Sequence, residues 1–115
     1  MSDSPLITKS KGFALAIIKL CNTVKKEHRE SVLTNQLLRS GTSIGANIRE
    51  AFFAHSKPDF IAKLQIALKE CSESEYWLEL LTEAGYSDNT AILEQCRELK
   101  RLLISSINTA KKNQK

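Results

Sequence analysis

Apolar residues recur along this chain at intervals of three and four, and that spacing runs through four successive stretches of the sequence. A period near 3.6 residues marks an amphipathic helix with one face turned inward. The pattern predicts helices over about 8–26, 32–54, 57–84 and 88–111. On the first, Phe13, Ile17, Leu20, Cys21 and Val24 share a face; on the second, Leu33, Leu37, Ile44, Ile48 and Ala51 do. The third offers Phe60, Leu64, Ala67, Leu68, Cys71 and Leu78, and the fourth Ile92, Cys96, Leu99, Leu103, Ile107 and Ala110. Four single-striped helices bury their stripes by packing together, so the expected fold is all-α, an up-down antiparallel four-helix bundle over 1–115 as one domain.

Three breaks separate the helices. The first is the charged run Lys26-Glu27-His28-Arg29-Glu30-Ser31. At the second, Ser56 and Asp59 have capping-box spacing and Pro58 falls in the first turn. At the third, Gly85 is placed for a helix C-cap and Asp88 for the next N-cap. Connections this short force sequence neighbours to run antiparallel.

Composition agrees. The chain is 42% apolar over 115 residues, with four glycines and two prolines, which suits a helical core that needs no staples. Its longest apolar run, Phe13 to Ile18, is far below the ~20 residues that span a bilayer. Lys9 and Lys11 precede that run, but no small-residue cleavage site follows it, so a cytoplasmic protein is expected. Cys21, Cys71 and Cys96 form no CxxC pair and all lie on apolar faces, as small hydrophobes do.

Some residues disobey the stripes. Ile66, Trp77, Leu80 and Leu81 fall off the core face of the third helix, with Tyr76 nearby; Leu15 and Ile18 fall off that of the first. A second apolar stripe containing Trp and Tyr reads as a protein interface, or else as a widening of the core. Glu75, conversely, falls within the core stripe between Cys71 and Leu78, while Arg39, Ser43, Asn47 and Glu50 line up beside the stripe of the second helix. A buried carboxylate without a partner costs several kcal/mol, so Glu75 is expected to meet Arg39, Asn47 or a hydroxyl in a register-setting polar network. Gly41 and Gly45, each costing about 1 kcal/mol in helix propensity, predict close approach of another backbone.

Chemistry is sparse. Bundle di-metal sites need a Glu-x-x-His pair on each of two helices, and no glutamate here has histidine three residues on. Nucleotide, hydrolase and metalloprotease motifs are missing as well. No cofactor, no metal and no enzymatic activity are therefore expected. Net charge is 17 − 13 = +4, with basic ends and an acidic third helix. On the fourth helix Arg97, Arg101, Asn108, Lys112 and Lys115 share an outward face flanked by Lys100 and Lys111, a stripe that can track a phosphate backbone.

Two stretches resemble a known family. They run from Gln36-Leu37-Leu38-Arg39-Ser40 through Ser43-Ile44-Gly45-Ala46-Asn47-Ile48-Arg49-Glu50-Ala51, and from Asp59-Phe60-Ile61 through Leu64-Gln65-Ile66-Ala67-Leu68-Lys69-Glu70-Cys71 to Glu75-Tyr76-Trp77-Leu78. They are similar to the 23S rRNA intervening-sequence proteins, also called S23 ribosomal proteins or four helix bundle proteins. The resemblance implies a bundle that assembles into a ring-like homopentamer. It also implies kinship with bundles of diversity-generating retroelements, which engage a reverse transcriptase and nucleic acid through basic surface. The family's polar motif positions map onto Arg39, Ser43, Asn47, Glu50 and Glu75; Ala51 stands where many members have glycine.

The leading expectation is a non-enzymatic, self-associating scaffold for a protein or RNA partner. The alternative is a direct nucleic-acid binder acting through the fourth helix, and a small-ligand or enzymatic role ranks third.

Overall fold

Pro5 opens the first helix at a position where its missing N–H and fixed φ cost nothing, so the helix starts earlier than the apolar pattern suggests. The structure, a computed structural model, describes residues 4–113. Its helices are α1 (Pro5–His28), α2 (Val32–Phe52), α3 (Lys57–Glu83) and α4 (Thr90–Lys112). They are joined by connections at 29–31, 53–56 and 84–89, too short to cross the length of a helix, so consecutive helices alternate in direction. The result is a rod of 51 × 23 × 20 Å.

Each helix packs on two neighbours: α2 and α3 share the richest seam, α1 and α4 the sparsest, and the backbones of the diagonal pairs stand farther apart. Phe13, Ile17, Leu37, Ile44, Ile48, Leu64, Leu78, Leu99 and Leu103 are fully enclosed along the axis. Leu20, Leu33, Phe60, Leu68 and Ile92, expected in the core, are half-buried against it. Leu81, expected outside, is fully buried; the inward face of α3 is wider than one stripe, because α2 and α4 both lie against it.

The glycines of α2 admit α1. A Cβ on Gly41 would stand 3.1 Å from Ile17 Cγ1 and Cγ2, and one on Gly45 would stand 3.2 Å from Ser10 Oγ. The cost in helix propensity thus secures a close α1–α2 approach.

The helix ends are chemically specified. Ser56 Oγ accepts from the Asp59 N–H at 3.2 Å, as its spacing predicts. At the end of α3, Gly85 (φ +83°) closes a Schellman motif: its N–H donates to Thr82 O, and the Tyr86 N–H donates to Leu81 O at 3.0 Å. Two features were not foreseen. Glu30 accepts from the N–H groups of Leu33 (2.7 Å) and Thr34 (3.0 Å), capping α2 in place of Ser31. Buried Asn89 is the N-cap residue of α4 by position, while Asp88 Oδ1 accepts from the Thr90 N–H at 3.2 Å; the Asn89 Nδ2 donates to Thr82 Oγ at 3.0 Å and Leu78 O at 3.3 Å. Asn89 thereby ties the last connection to α3.

Candidate functional site

Two ionic clusters replace the single polar network expected from the sequence. Arg39 on α2 donates to Glu70 (2.8 Å) and Glu73 (2.6 Å) on α3. Glu75, one position along α3 from Ser74, turns toward the other neighbour and accepts from Arg97 Nε (2.9 Å) and Lys100 Nζ (2.6 Å) on α4. Glu75 therefore does not meet Arg39, Asn47 or a hydroxyl. The reason is helical phase: Glu70 and Ser74 line the α2 side of α3, whereas Cys71 and Glu75 line the α4 side. The remaining expected members disperse. Ser43 Oγ donates to Arg39 O and Asn47 Nδ2 to Ser43 O, both within α2, and exposed Glu50 pairs with Lys63 at 3.1 Å.

The electrostatics follow from these pairs. Lys100, then Arg97, hold the Glu75 carboxyl below the usual carboxylate range, against the opposing effect of burial. Arg39 does the same for Glu73. Between the clusters lies a fully buried contact between α2 and α3 that sequence reasoning missed, in which Ser74 Oγ donates to Ser40 Oγ at 2.8 Å. Two serines at core-facing positions were the available signal.

The same pairs alter the basic face of α4. Arg97 is shared among Glu75, Glu79 and Glu94, and Lys100 is held by Glu75. As candidate phosphate contacts these two are corrected: their charge is locally neutralised. Arg101, Lys111 and Lys112 are exposed and carry no ion pair among the described residues; Lys115 lies outside the described residues.

The off-stripe apolar residues divide into two groups. Leu15 (58% exposed) and Ile18 mark the outer face of α1, and Ile66 and Tyr76 (54%) that of α3. Trp77 and Leu80 are half-buried; Trp77 leans on the core and its enclosed Nε1 lacks a well-formed hydrogen bond. Sequence reasoning missed Phe53 (74% exposed), at the end of α2. Together with Ile7, Lys11, Gly12, Leu15 and Arg49 it lines a groove of about 590 Å³ between α1 and α2, mainly apolar and bordered by two cations. On α3, Tyr76, Glu79, Leu80 and Glu83 recur at helical spacing as a ridge with an acidic border.

No helix among the described residues is long and apolar enough to cross a membrane, and no group of three or more His, Cys, Asp or Glu among them is placed to hold a metal ion.

Among curated proteins, none matches the chain. The crystal structure of a protein of unknown function from the S23 ribosomal protein family of Bacteroides thetaiotaomicron is similar to it, with TM-score 0.87 and 50% sequence identity over 89% of this chain and 97% of that chain. The family model described as 23S rRNA-intervening sequence protein matches residues 2–105, and the chain belongs to that family.

Proposed function

We propose that this protein is a non-enzymatic module that self-associates head to tail, the α1–α2 groove of one copy receiving the α3 ridge of the next. The observation that carries this reading is a pair of exposed apolar patches of opposite border, Leu15 with Phe53 in the groove and Tyr76 on the ridge. The groove has Lys11 and Arg49 at its edge, and the ridge has Glu79 and Glu83. A two-fold contact would pair one patch with itself, whereas two unlike, complementary patches suit a heterologous contact that closes into a ring when the rotation per step divides a full turn. The homopentamer implied by the family resemblance is one such ring. The assembled module would act as a scaffold for a protein or RNA partner, presenting Arg101, Lys111 and Lys112 once per copy.

The test is light scattering with size-exclusion chromatography on the native chain, Leu15→Glu and Tyr76→Arg. The native protein should elute as an oligomer and each variant as a smaller species. Mixing the two variants should restore a single dimeric contact, because each retains one intact patch. A native chain that stays monomeric at every concentration overturns the reading, and mixed variants that never associate overturn its head-to-tail form.

A further inference from the structure

All three cysteines are buried and free, but only two of them meet. Cys21 donates to Thr34 O at 3.4 Å and has no thiol neighbour. Cys71 on α3 and Cys96 on α4 face each other with their sulfurs 3.8 Å apart. Each thiol also reaches the other residue's carbonyl oxygen, Cys71 Sγ to Cys96 O at 3.3 Å and Cys96 Sγ to Cys71 O at 3.4 Å. The two helices thus approach closely enough for each side chain to touch the opposite backbone.

We infer that Cys71 and Cys96 form a latent cross-helix disulfide site, which a two-electron oxidant such as hydrogen peroxide closes to staple α3 to α4. The sulfurs lie in van der Waals contact at 3.8 Å and must approach to about 2.05 Å. One thiol gives up its proton and attacks a peroxide oxygen; the O–O bond breaks, leaving a sulfenic acid and one water. The second thiol then attacks that sulfur, the S–O bond breaks, and the disulfide forms with release of a second water. Two thiols and one hydrogen peroxide yield one disulfide and two waters. Juxtaposition of the pair makes the second step intramolecular and fast.

Access is controlled by the ionic cluster described above. Glu75 and Lys100 stand one turn beyond Cys71 and Cys96 respectively, and their 2.6 Å contact lies across the same seam. Cys71 and Cys96 are both fully buried, so the pair reacts when the seam opens locally and not while it is shut.

The test treats the native full chain with hydrogen peroxide at neutral pH, then denatures it, alkylates the remaining thiols and weighs the intact protein. One alkylated thiol, a Cys71–Cys96 linked peptide, a raised melting temperature and reversal by dithiothreitol are expected. Glu75→Gln should speed closure severalfold; an unchanged rate overturns the gating role of the cluster. Three alkylatable thiols after prolonged exposure, over-oxidation of a single cysteine, or cross-links between chains through Cys21 would each overturn the site itself. Cys71→Ala, whose small side chain preserves an apolar core, should remove the linked peptide and leave two alkylatable thiols; a remaining internal disulfide would overturn the assignment.

Discussion

Gly41 on α2 lies against Ile17 on α1 so closely that a single added methyl would meet two carbons of the isoleucine at 3.1 Å. Ile17 is fully enclosed and β-branched, with one strongly preferred rotamer in a helix, so it cannot yield. Gly41→Ala should therefore lose stability, by up to about 2 kcal/mol, since overpacking of about 1–3 kcal/mol is set against a gain of about 1 kcal/mol in helix propensity. At Gly45 the nearest atom is the small Ser10 hydroxyl at 3.2 Å, with the Ser10 backbone carbon farther off at 3.8 Å, so a few tenths of an ångström of adjustment by that hydroxyl admits a methyl. Gly45→Ala should be neutral or stabilising by up to about 1 kcal/mol. Urea unfolding of the two variants checks the contrast, and equal effects would contradict it.

Acid should weaken the bundle through its paired carboxylates. Glu75 and Glu73 have folded-state pKa values below their ordinary ones, set chiefly by Lys100 and Arg39. Such groups stabilise fully above the unfolded value of about 4.3 and lose that contribution as pH falls through the lower folded value. Unfolding midpoints should hold steady near neutrality and drop below about pH 4.3. In Glu75→Gln the drop should be shallower and the stability at pH 7 lower; a parallel curve would show that the α4 cations do not stabilise Glu75.

The Ser40–Ser74 contact joins α2 and α3 where no water reaches. Ser74 Oγ also points at Glu70 O (2.9 Å) and Ser40 Oγ at Leu37 O (3.3 Å). Either serine changed to alanine should cost about 1 kcal/mol. The double variant should cost less than the sum, with a coupling of about 0.5–1 kcal/mol. Strict additivity in the cycle would mean that the two hydroxyls do not support one another.

Glu30 caps α2 with two charge-assisted bonds to backbone N–H groups. Burial opposes its ionisation, but the Leu33 and Thr34 amides outweigh it and bring the carboxyl below its ordinary range. Glu30→Ala should cost about 1 kcal/mol, the usual worth of an N-terminal cap, as read from thermal or urea unfolding. Ser31→Ala should cost much less, because the Ser31 side chain makes no capping bond.

The helices were legible because a 3.6-residue period survives over five or more turns, and the Ser56 cap and Gly85 stop were legible because local chemistry alone decides them. Glu75 shows where such reading ends. Its spacing placed it inward, correctly, but which neighbour it faced depended on the rotation of α3 between α2 and α4, and a few tens of degrees decide between Arg39 and Lys100. The same uncertainty misplaced Leu81 and assigned Arg97 and Lys100 to open solvent. Phe53 escaped notice because it closes a helix instead of sitting within a periodic stripe, and the groove it lines exists only once α1 and α2 are brought together.

The thin seam between α1 and α4 sets the order in which this rod should come apart. The first and last helices meet there with the least packing, while the middle hairpin of α2 and α3 carries the Arg39 cluster and the buried serines. Under native conditions, amide hydrogens should exchange first along the facing turns of α1 and α4 and last in α2 and α3. The hairpin of α2 and α3 is then the part that keeps its shape longest, and the two outer helices are the leaves that open from it.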